Sequence, residues 1–184
     1  MRPGFRALGD GAVAMRLPAW LRGLLREQYS DFATLLDHDS VAASGDPLEE
    51  ITGIRSGLVE PPANPVLRRL RPDAYAGDVE DGKAAVEFRR FTERDLAALQ
   101  RARVATLLQT VTEGDKVELT AAQAQDWLGA FNDLRLALGT AIDVTEEPEN
   151  QTFEGEAAAA YEVYSLLGHL QYLLLEALGA PPEV

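Results

Sequence analysis

The fold of this chain is decided by residues 120–140, which read TAAQAQDWLGAFNDLRLALGT. Thr120 and Gln123 have the spacing of a capping box, in which two side chains bond each other's backbone N–H groups at a helix N-terminus. Gly139 stands where a helix C-cap belongs. Between these ends, large apolar residues recur at helical spacing and define one buried face: Trp127, Phe131, Leu134 and Leu138. The stretch therefore predicts an amphipathic helix over 120–139.

Apolar residues at the same spacing predict three further long helices. Pro18, at a first helical position, opens a helix over 18–38. Gly179 ends a final helix over 153–178. The third, over 93–112, carries a stripe that we expect to be buried, formed by Leu96, Leu99, Val104, Leu107, Leu108 and Val111.

Two shorter helices are predicted between the first long helix and the next. The dipeptide Asn64-Pro65 is an N-cap followed by proline at the first helical position, and Pro72 keeps this helix short. A second helix spans about 78–91. We expect a break after it, because Thr92 and Asp95 resemble the acidic form of a capping box.

The N-terminus is expected to form a β-hairpin. Gly9-Asp10-Gly11 separates two short, partly alternating runs, which is typical of a hairpin turn. In the second run Val13, Met15 and Leu17 share an apolar face, which should lie against the helices. Residues 117–119 are a further short extended piece.

Together these elements predict one domain over 1–184. Its fold is mainly α, a helical bundle of four longer helices plus one or two short ones, with an N-terminal β-hairpin over 1–17. Residues 39–63 are rich in Ser, Gly, Asp and Pro and are expected to form a long surface loop. A loop of this length in a small domain is often functional.

Charge divides the chain into two unequal parts. The net charge is −13, yet residues 1–104 contain 15 basic and 16 acidic residues and are nearly neutral. Residues 105–184 contain 2 basic and 14 acidic residues and sum to −12. DNA and anionic membranes are bound by neutralising negative charge, so the second part disfavours both. We expect DNA to be contacted only weakly or indirectly, and no membrane to be bound.

Several chemistries are missing from the sequence. There is no cysteine, which excludes a disulfide, a zinc–cysteine site and a thiol switch. The standard phosphate-loop, dinucleotide, zinc-protease and serine-hydrolase motifs do not occur. The two histidines, His38 and His169, fit ordinary roles on helices. We therefore expect no catalytic residue, no metal and no cofactor. With no visible targeting segment or membrane-length apolar run, we expect a cytoplasmic protein.

Two groups of charged residues stand out. Asn132, Asp133 and Arg135 interrupt an apolar helix, and Asp133 and Arg135 should point to different faces. We expect Arg135 to pair with a carboxylate on another helix; a dimer contact and a ligand site are the alternatives.

The second group consists of arginines close in sequence to a similar number of acidic residues, which favours salt bridges over a nucleic-acid surface: Arg68, Arg69, Arg71, Arg89, Arg90 and Arg94.

Three segments resemble one known family. They are RRLRPDAY at 68–75, EFRRFTE at 87–93 and NDLRLALGT at 132–140. These segments are similar to the AosR-like family, an actinobacterial domain of unknown function that is described as an oxidative-stress transcriptional regulator. The resemblance covers nearly the whole chain, and the 39–63 loop matches least. It implies regulation and supplies no catalytic residue. The candidate structural or interaction residues within these segments are Arg68, Arg69, Asp73, Tyr75, Arg89, Arg90, Asn132, Asp133 and Arg135.

Three functional hypotheses follow. The first is a non-enzymatic stress-response regulator that contacts a sigma factor or another part of the transcription machinery. The second is a regulator that binds DNA directly, and the third is an enzyme with an unrecognised site. Genes of the family commonly lie near that of the ClpS adaptor, which adds an interaction module linked to Clp proteolysis. The charge distribution and the missing motifs favour the first hypothesis.

A homodimer is also expected. Tyr161, Leu166 and Tyr172 fall partly off the core stripe of the last helix. A helix that is apolar beyond its core-facing stripe is either fully buried or covers a second surface. Burial within the monomer is the alternative to a two-fold interface at this helix.

We predict that the purified protein alone binds duplex DNA only weakly, because its charge is strongly negative and no basic recognition helix is evident. Fluorescence anisotropy with a labelled promoter fragment at physiological salt measures this directly. A sequence-specific complex with a sub-micromolar dissociation constant would contradict it.

Overall fold

The computed structural model describes residues 4–38, 61–72 and 79–179. The mainly α fold is confirmed, and within these residues it comprises four longer helices, one short helix and an N-terminal β-hairpin extended by a third strand. A short 3-10 turn occupies Pro148–Asn150. In chain order the strands and helices are β1 Gly4–Gly9, β2 Ala12–Arg16, α1 Ala19–His38, α2 Pro65–Leu70, α3 Val79–Thr110, β3 Lys116–Leu119, α4 Ala121–Ala141 and α5 Gly155–Ala177.

The sheet is a three-stranded antiparallel unit with β2 in the centre. The hairpin turn is tighter than predicted, since only Asp10 and Gly11 lie between the strands. Both have positive φ angles, 48° and 74°, as a two-residue turn of this hand requires. The apolar face of β2 is fully buried as predicted, with Val13, Met15 and the following Leu17 each 0% exposed. The 117–119 piece is confirmed as part of β3.

Helix α4 lies at the centre of the molecule and contacts α2, α3, α5, β2 and β3. Its N-terminal capping box is confirmed: the Gln123 N–H donates to Thr120 Oγ1 (3.3 Å), and the Thr120 N–H donates to Gln123 Oε1 (2.9 Å). The rings of Trp127 and Phe131 pack edge to face, 5.6 Å apart, and both are fully buried. The apolar face read from the sequence is thus the core of the bundle.

The predicted C-cap of α4 is wrong by a few residues. The helix continues through Gly139 to Ala141, and Asp143 adopts the left-handed conformation with a φ of 54°. The Val144 N–H then donates to the Gly139 carbonyl (2.8 Å), which is the closing bond of a Schellman motif. Gly139 has a packing role instead, because a Cβ there would lie 3.3 Å from the Tyr164 ring.

The predicted break at Thr92 is also wrong, because α3 is one continuous helix of 32 residues. Thr92 Oγ1 donates to the carbonyl of Phe88 (2.9 Å), a bond made within the helix rather than at its start. No glycine or proline occurs between Ala84 and Thr110, so nothing in the backbone stops the helix. A sequence that resembles a capping box, such as Thr92–Asp95, therefore does not end the preceding helix when no glycine or proline accompanies it.

Helix α2 packs on α4, and helix α1 packs on α3. Asn64 Oδ1 accepts from the Val66 N–H (2.9 Å), which confirms the predicted N-cap of α2. Arg26 Nη1 of α1 donates to the carbonyl of Val111 (3.0 Å), just beyond the α3 C-terminus. Arg22 Nη1 donates to the carbonyl of Gly114, three residues further along the chain. Cations at this end of a helix also favour its dipole.

Some predictions lie outside the described residues. These are the bulk of the 39–63 loop, the Asp73-Ala74-Tyr75 segment and the last five residues of the chain. Among the helices that the structure describes, none is long and apolar enough to cross a membrane.

Candidate functional site

Two of the three family-like segments meet through side-chain contacts between the end of α2 and α3. Arg71, just after α2, lies 4.0 Å from Glu93 of α3 through its Nη1 atom. Its Nε donates to Gln100 Oε1 (3.2 Å), and Gln100 Nε2 donates back to the Leu70 carbonyl (3.1 Å). The three side chains, here called the Arg71 cluster, are buried at 3, 7 and 4% exposure. The predicted pairing of an arginine with a neighbouring acid is therefore found at Arg71 and Glu93.

The other arginines of these segments have different surroundings. Arg68 donates from Nε and Nη2 to the Pro62 carbonyl, at 3.2 Å each, and so attaches the preceding turn to α2. Arg69 is exposed, Arg89 is buried at 6% exposure and Arg90 is half-buried. Asp73 and Tyr75 lie outside the described residues.

The third segment, on α4, directs its charges to two opposite neighbours. Asp133 is 6% exposed and accepts from Arg103 Nη1 of α3 (3.3 Å), whereas the preceding Asn132 is exposed. Burial raises the pKa of the Asp133 carboxyl above its usual value, although the charge and hydrogen bond of Arg103 oppose the shift. A Cβ at Gly129 would lie 2.4 Å from Arg103 Nε, so the glycine makes room for this pair.

A tyrosine on α1 borders the same carboxylate. The Tyr29 hydroxyl is buried and has no hydrogen-bond partner among the described residues. Burial, and secondarily the negative charge of Asp133, raise the pKa of Tyr29 well above its usual value. The hydroxyl therefore stays protonated at neutral pH.

Arg135 points the other way, toward α5, which confirms that it and Asp133 occupy different faces. Its predicted carboxylate partner is wrong: Nη1 donates to Gln171 Oε1 (3.1 Å) and Nη2 donates to the Tyr164 hydroxyl (3.2 Å). The guanidinium also lies 4.8 Å from the centroid of the Tyr164 ring. Gly168 lets α5 come this close, since a Cβ there would lie 3.3 Å from Arg135 Nε. A cation can be held by an aromatic ring and neutral acceptors where no carboxylate is at hand.

Tyr164 is also the end of a short aromatic stack. Its ring lies 5.9 Å from that of Tyr161, which in turn stacks on Phe153 at 4.5 Å. Tyr161 and Leu166 are thus half-buried within the monomer, whereas Tyr172 is 41% exposed. The homodimer expected from these three residues stays a prediction, and Tyr172 is the member left on the surface.

The arrangement of α3 residues is the feature that the sequence analysis missed. Phe88, Phe91 and Leu99, here called the α3 stripe, are 40, 50 and 43% exposed. On the same stretch Arg89, Glu93 and Gln100 are buried. The expectation that Leu99 is buried is therefore wrong, although Val104, Leu107 and Val111 are buried as predicted.

This stretch departs from the usual amphipathic pattern, because three polar residues are buried together with Ala85 and Ala97, and three large apolar residues are exposed among charged ones. The signal was present in the sequence, because Arg89, Glu93 and Gln100 are spaced by four and seven residues and so share one helical face. Reading that polar face as buried requires knowing that Arg71 and the Leu70 carbonyl lie opposite it.

The described residues offer no metal site, since no group of three or more His, Cys, Asp or Glu side chains is placed to hold an ion. His169 is exposed on α5.

Comparison with known proteins gives a family and relatives. The model of a family described as a domain of unknown function, DUF2017, matches residues 1–178. Proteins named oxidative stress regulator AosR from Mycobacterium bovis and Mycobacterium tuberculosis are 36% identical over 170 residues, which cover 85% of this chain and 78% of theirs. A Mycobacterium leprae protein named putative oxidative stress regulator AosR is 35% identical over 193 residues, covering 97 and 84%. No solved structure gives a significant match.

We predict that Arg135→Ala lowers the free energy of unfolding by about 1–3 kcal/mol, because it leaves Gln171 and Tyr164 without their donor and removes the stacked cation. Urea denaturation measures the change. Arg101→Ala is the matched control, a half-buried arginine of α3 that should alter stability by no more than about 0.5 kcal/mol. Equal stability of Arg135→Ala and the wild-type protein would contradict the structural role.

The raised pKa of Asp133 predicts a pH dependence with a definite sign. A carboxyl whose pKa is higher in the folded than in the unfolded state stabilises the protein at low pH, and this contribution is lost as pH rises through the folded-state value. The wild-type protein should therefore gain stability relative to Asp133→Asn between about pH 7 and about pH 4. Urea titrations of both proteins across this pH range test the prediction. A difference in unfolding free energy that stays constant would show an unshifted pKa, and one that changes in the opposite direction would show that Arg103 outweighs burial.

Proposed function

The chain belongs to the DUF2017 family of AosR-like proteins, and we propose that it is a non-enzymatic stress-response regulator that acts through protein–protein contact. Its relatives named oxidative stress regulator align over 85% of this chain at 36% identity, which supports a regulatory role in the same kind of response. We propose a cytoplasmic protein whose partner is a sigma factor or another protein of the transcription machinery.

The observation that carries the mode of action is the α3 stripe. Scattered exposed apolar residues are normal, but here three large ones lie within twelve positions on one side of a helix, with the exposed Asp95 between Phe91 and Leu99. Fully burying such a side chain is worth about 1.5–3 kcal/mol. Each residue of the α3 stripe is already about half-buried, so covering all three would contribute about 3 kcal/mol to a complex. That is about a hundredfold in affinity.

The Arg71 cluster gives this surface a fixed orientation. A buried ion pair contributes little net stability, but the hydrogen bonds from Arg71 to Gln100 and from Gln100 to the Leu70 carbonyl are specific contacts between the end of α2 and α3. Because Glu93 and Gln100 face inward, Phe91 and Leu99 must face outward. The polar side of the helix thus anchors it to α2, and the apolar side remains for a partner.

Direct DNA binding is the weaker proposal, because residues 105–184 sum to −12 and repel phosphate. A thiol-based sensor does not fit these 184 residues, which contain no cysteine. We therefore propose that the oxidative signal reaches this protein through its partner or through its abundance.

We predict that a photoreactive phenylalanine analogue at position 91 cross-links to a transcription protein in the native host. The same analogue at position 172 on α5 is the matched control, because Tyr172 has a similar exposure, 41% against 50% for Phe91. Mass spectrometry of the cross-linked products identifies the partner. Cross-links to such a protein from position 172 alone, or cross-links from position 91 to DNA alone, would contradict the proposal.

A further inference from the structure

We propose that the outer edge of β3 joins two copies of this chain, through antiparallel pairing of β3 with β3 of a second copy. This inference goes beyond the proposed function, because it concerns a surface other than the α3 stripe and does not depend on the partner of that stripe. It follows from the hydrogen-bond pattern of the sheet and from the order of two charges along β3.

The hydrogen bonds between β2 and β3 leave the main-chain groups of two residues directed outward. The Leu17 N–H donates to the Asp115 carbonyl (2.9 Å) at the end of this pairing. Hydrogen-bonded and non-bonded residues alternate along an antiparallel pair, so Val117 also bonds toward β2. The N–H and C=O groups of Lys116 and Glu118 therefore point away from β2. Since β3 is the last strand of the sheet formed by the described residues, these groups lie at its edge.

The side chains of β3 show the same division between the core and the surface. Val117 and Leu119 are buried, at 4 and 1% exposure. The side chains of Lys116 and Glu118 are 54 and 59% exposed. A strand can thus be added beside β3 while the two apolar residues stay in the core.

The charges on β3 are complementary to those of a second β3. In a two-fold antiparallel pair centred on Val117, Lys116 of each copy lies opposite Glu118 of the other. Because the main-chain groups of both residues face the added strand, each such pair also exchanges two backbone hydrogen bonds. Opposite charges directly across two strands stabilise the pairing, and like charges destabilise it.

The neighbouring registers are disfavoured. A pairing centred one residue earlier sets Lys116 against Lys116 of the other copy, and one centred one residue later sets Glu118 against Glu118. Both place like charges directly opposite each other. The order Lys-Val-Glu therefore selects the register centred on Val117.

The same charges protect the edge from unrelated strands. Natural proteins keep exposed edge strands short and place lysine on them, and β3 has four residues with Lys116 among them. A lysine alone would repel a second copy as well. With Glu118 two positions away, another β3 supplies a partner for each charge.

The negative charge of the chain has little effect on an approach at the sheet. Residues 4–17 and 115–119, which contain the three strands, have three basic and three acidic residues and are neutral overall. Charges farther away are screened, because the Debye length is about 8 Å at physiological ionic strength. The sheet is thus a neutral surface on a chain of charge −13.

Two other surfaces are the alternatives for a homodimer. Helix α5 leaves Tyr172 exposed, but the hydroxyl of this residue already donates to Glu176 (2.9 Å). A two-fold contact through the α3 stripe would bring the exposed Asp95, between Phe91 and Leu99, close to Asp95 of the other copy. The experiment distinguishes both from the β3 edge.

Charge reversal on β3 tests the arrangement. Sedimentation velocity of the wild-type chain should give a mass that rises with concentration from 20.0 kDa toward twice that value. Lys116→Glu or Glu118→Lys sets like charges opposite each other at two symmetry-related places, so each should weaken the dimer at least about tenfold. The double variant Lys116→Glu, Glu118→Lys should restore the wild-type affinity, because it exchanges the charges and keeps the pairing.

The two single variants should also associate with each other. Each cross-strand pair between them joins opposite charges, whereas each pair within either homodimer joins like charges. Native mass spectrometry of an equimolar mixture, with one variant isotopically labelled, should show more mixed dimer than either homodimer. A mere loss of folding in the variants would not produce this result.

Amide hydrogen exchange reports the backbone contact directly. The N–H groups of Lys116 and Glu118 should exchange quickly in dilute solution and slowly where the dimer forms. The Val117 N–H is the control, because it is bonded toward β2 and should exchange slowly in both conditions.

Three results would overturn the inference. The first is a mass that stays at 20.0 kDa up to millimolar concentration. The second is equal association of the single and double β3 variants. The third is a dimer that persists in Lys116→Glu but is lost in Tyr172→Ala or Phe91→Ala, which would assign the contact to α5 or to the α3 stripe.

Discussion

The structure depends on the central helix α4, which carries a negative charge on one face and a positive charge on the opposite face. Helix α4 is the centre of the bundle, and its Asp133 and Arg135 are only two residues apart. Asp133 is held by Arg103 of α3, and Arg135 is held by Tyr164 and Gln171 of α5. A glycine makes room on each side, Gly129 for Arg103 and Gly168 for Arg135. Because buried polar groups need specific partners, these contacts fix α3 and α5 relative to α4 more strictly than apolar packing alone would.

The orientation of α3 supports the proposed contact surface. Its C-terminal part follows the usual pattern, with Val104, Leu107 and Val111 in the core. Its earlier part turns polar residues toward α2 and aromatic residues toward solvent. An aromatic ring in water forgoes the free energy that burial would provide, so the arrangement is costly for an isolated monomer and favourable for a complex.

Much of the fold is predictable from local signals. The capping box at Thr120, the Asn64-Pro65 helix start and the apolar face of β2 all appear as predicted, because each depends on residues adjacent in sequence. The predicted break at Thr92 is wrong because no helix-ending residue lies there, and the predicted cap at Gly139 is wrong because this glycine makes room for the Tyr164 ring within the helix. The partner of Arg135 and the exposure of Leu99 were not predictable, since both depend on which distant side chains lie opposite them. Among the described residues the family-like segments make mainly structural contacts, and the second segment, 87–93, also contains Phe88 and Phe91 of the α3 stripe.

The central claim, that this protein acts by covering its α3 stripe with a partner, is most directly tested by hydroxyl-radical footprinting. The protein is oxidised alone and as the complex isolated from its native host, and modification is quantified at each aromatic residue. The account predicts that Phe88 and Phe91 are several-fold less modified in the complex, while Trp20 and Tyr172, which are 54 and 41% exposed, are unchanged. Equal modification of Phe88 and Phe91 in both states, with protection at Trp20 or Tyr172 instead, would contradict it.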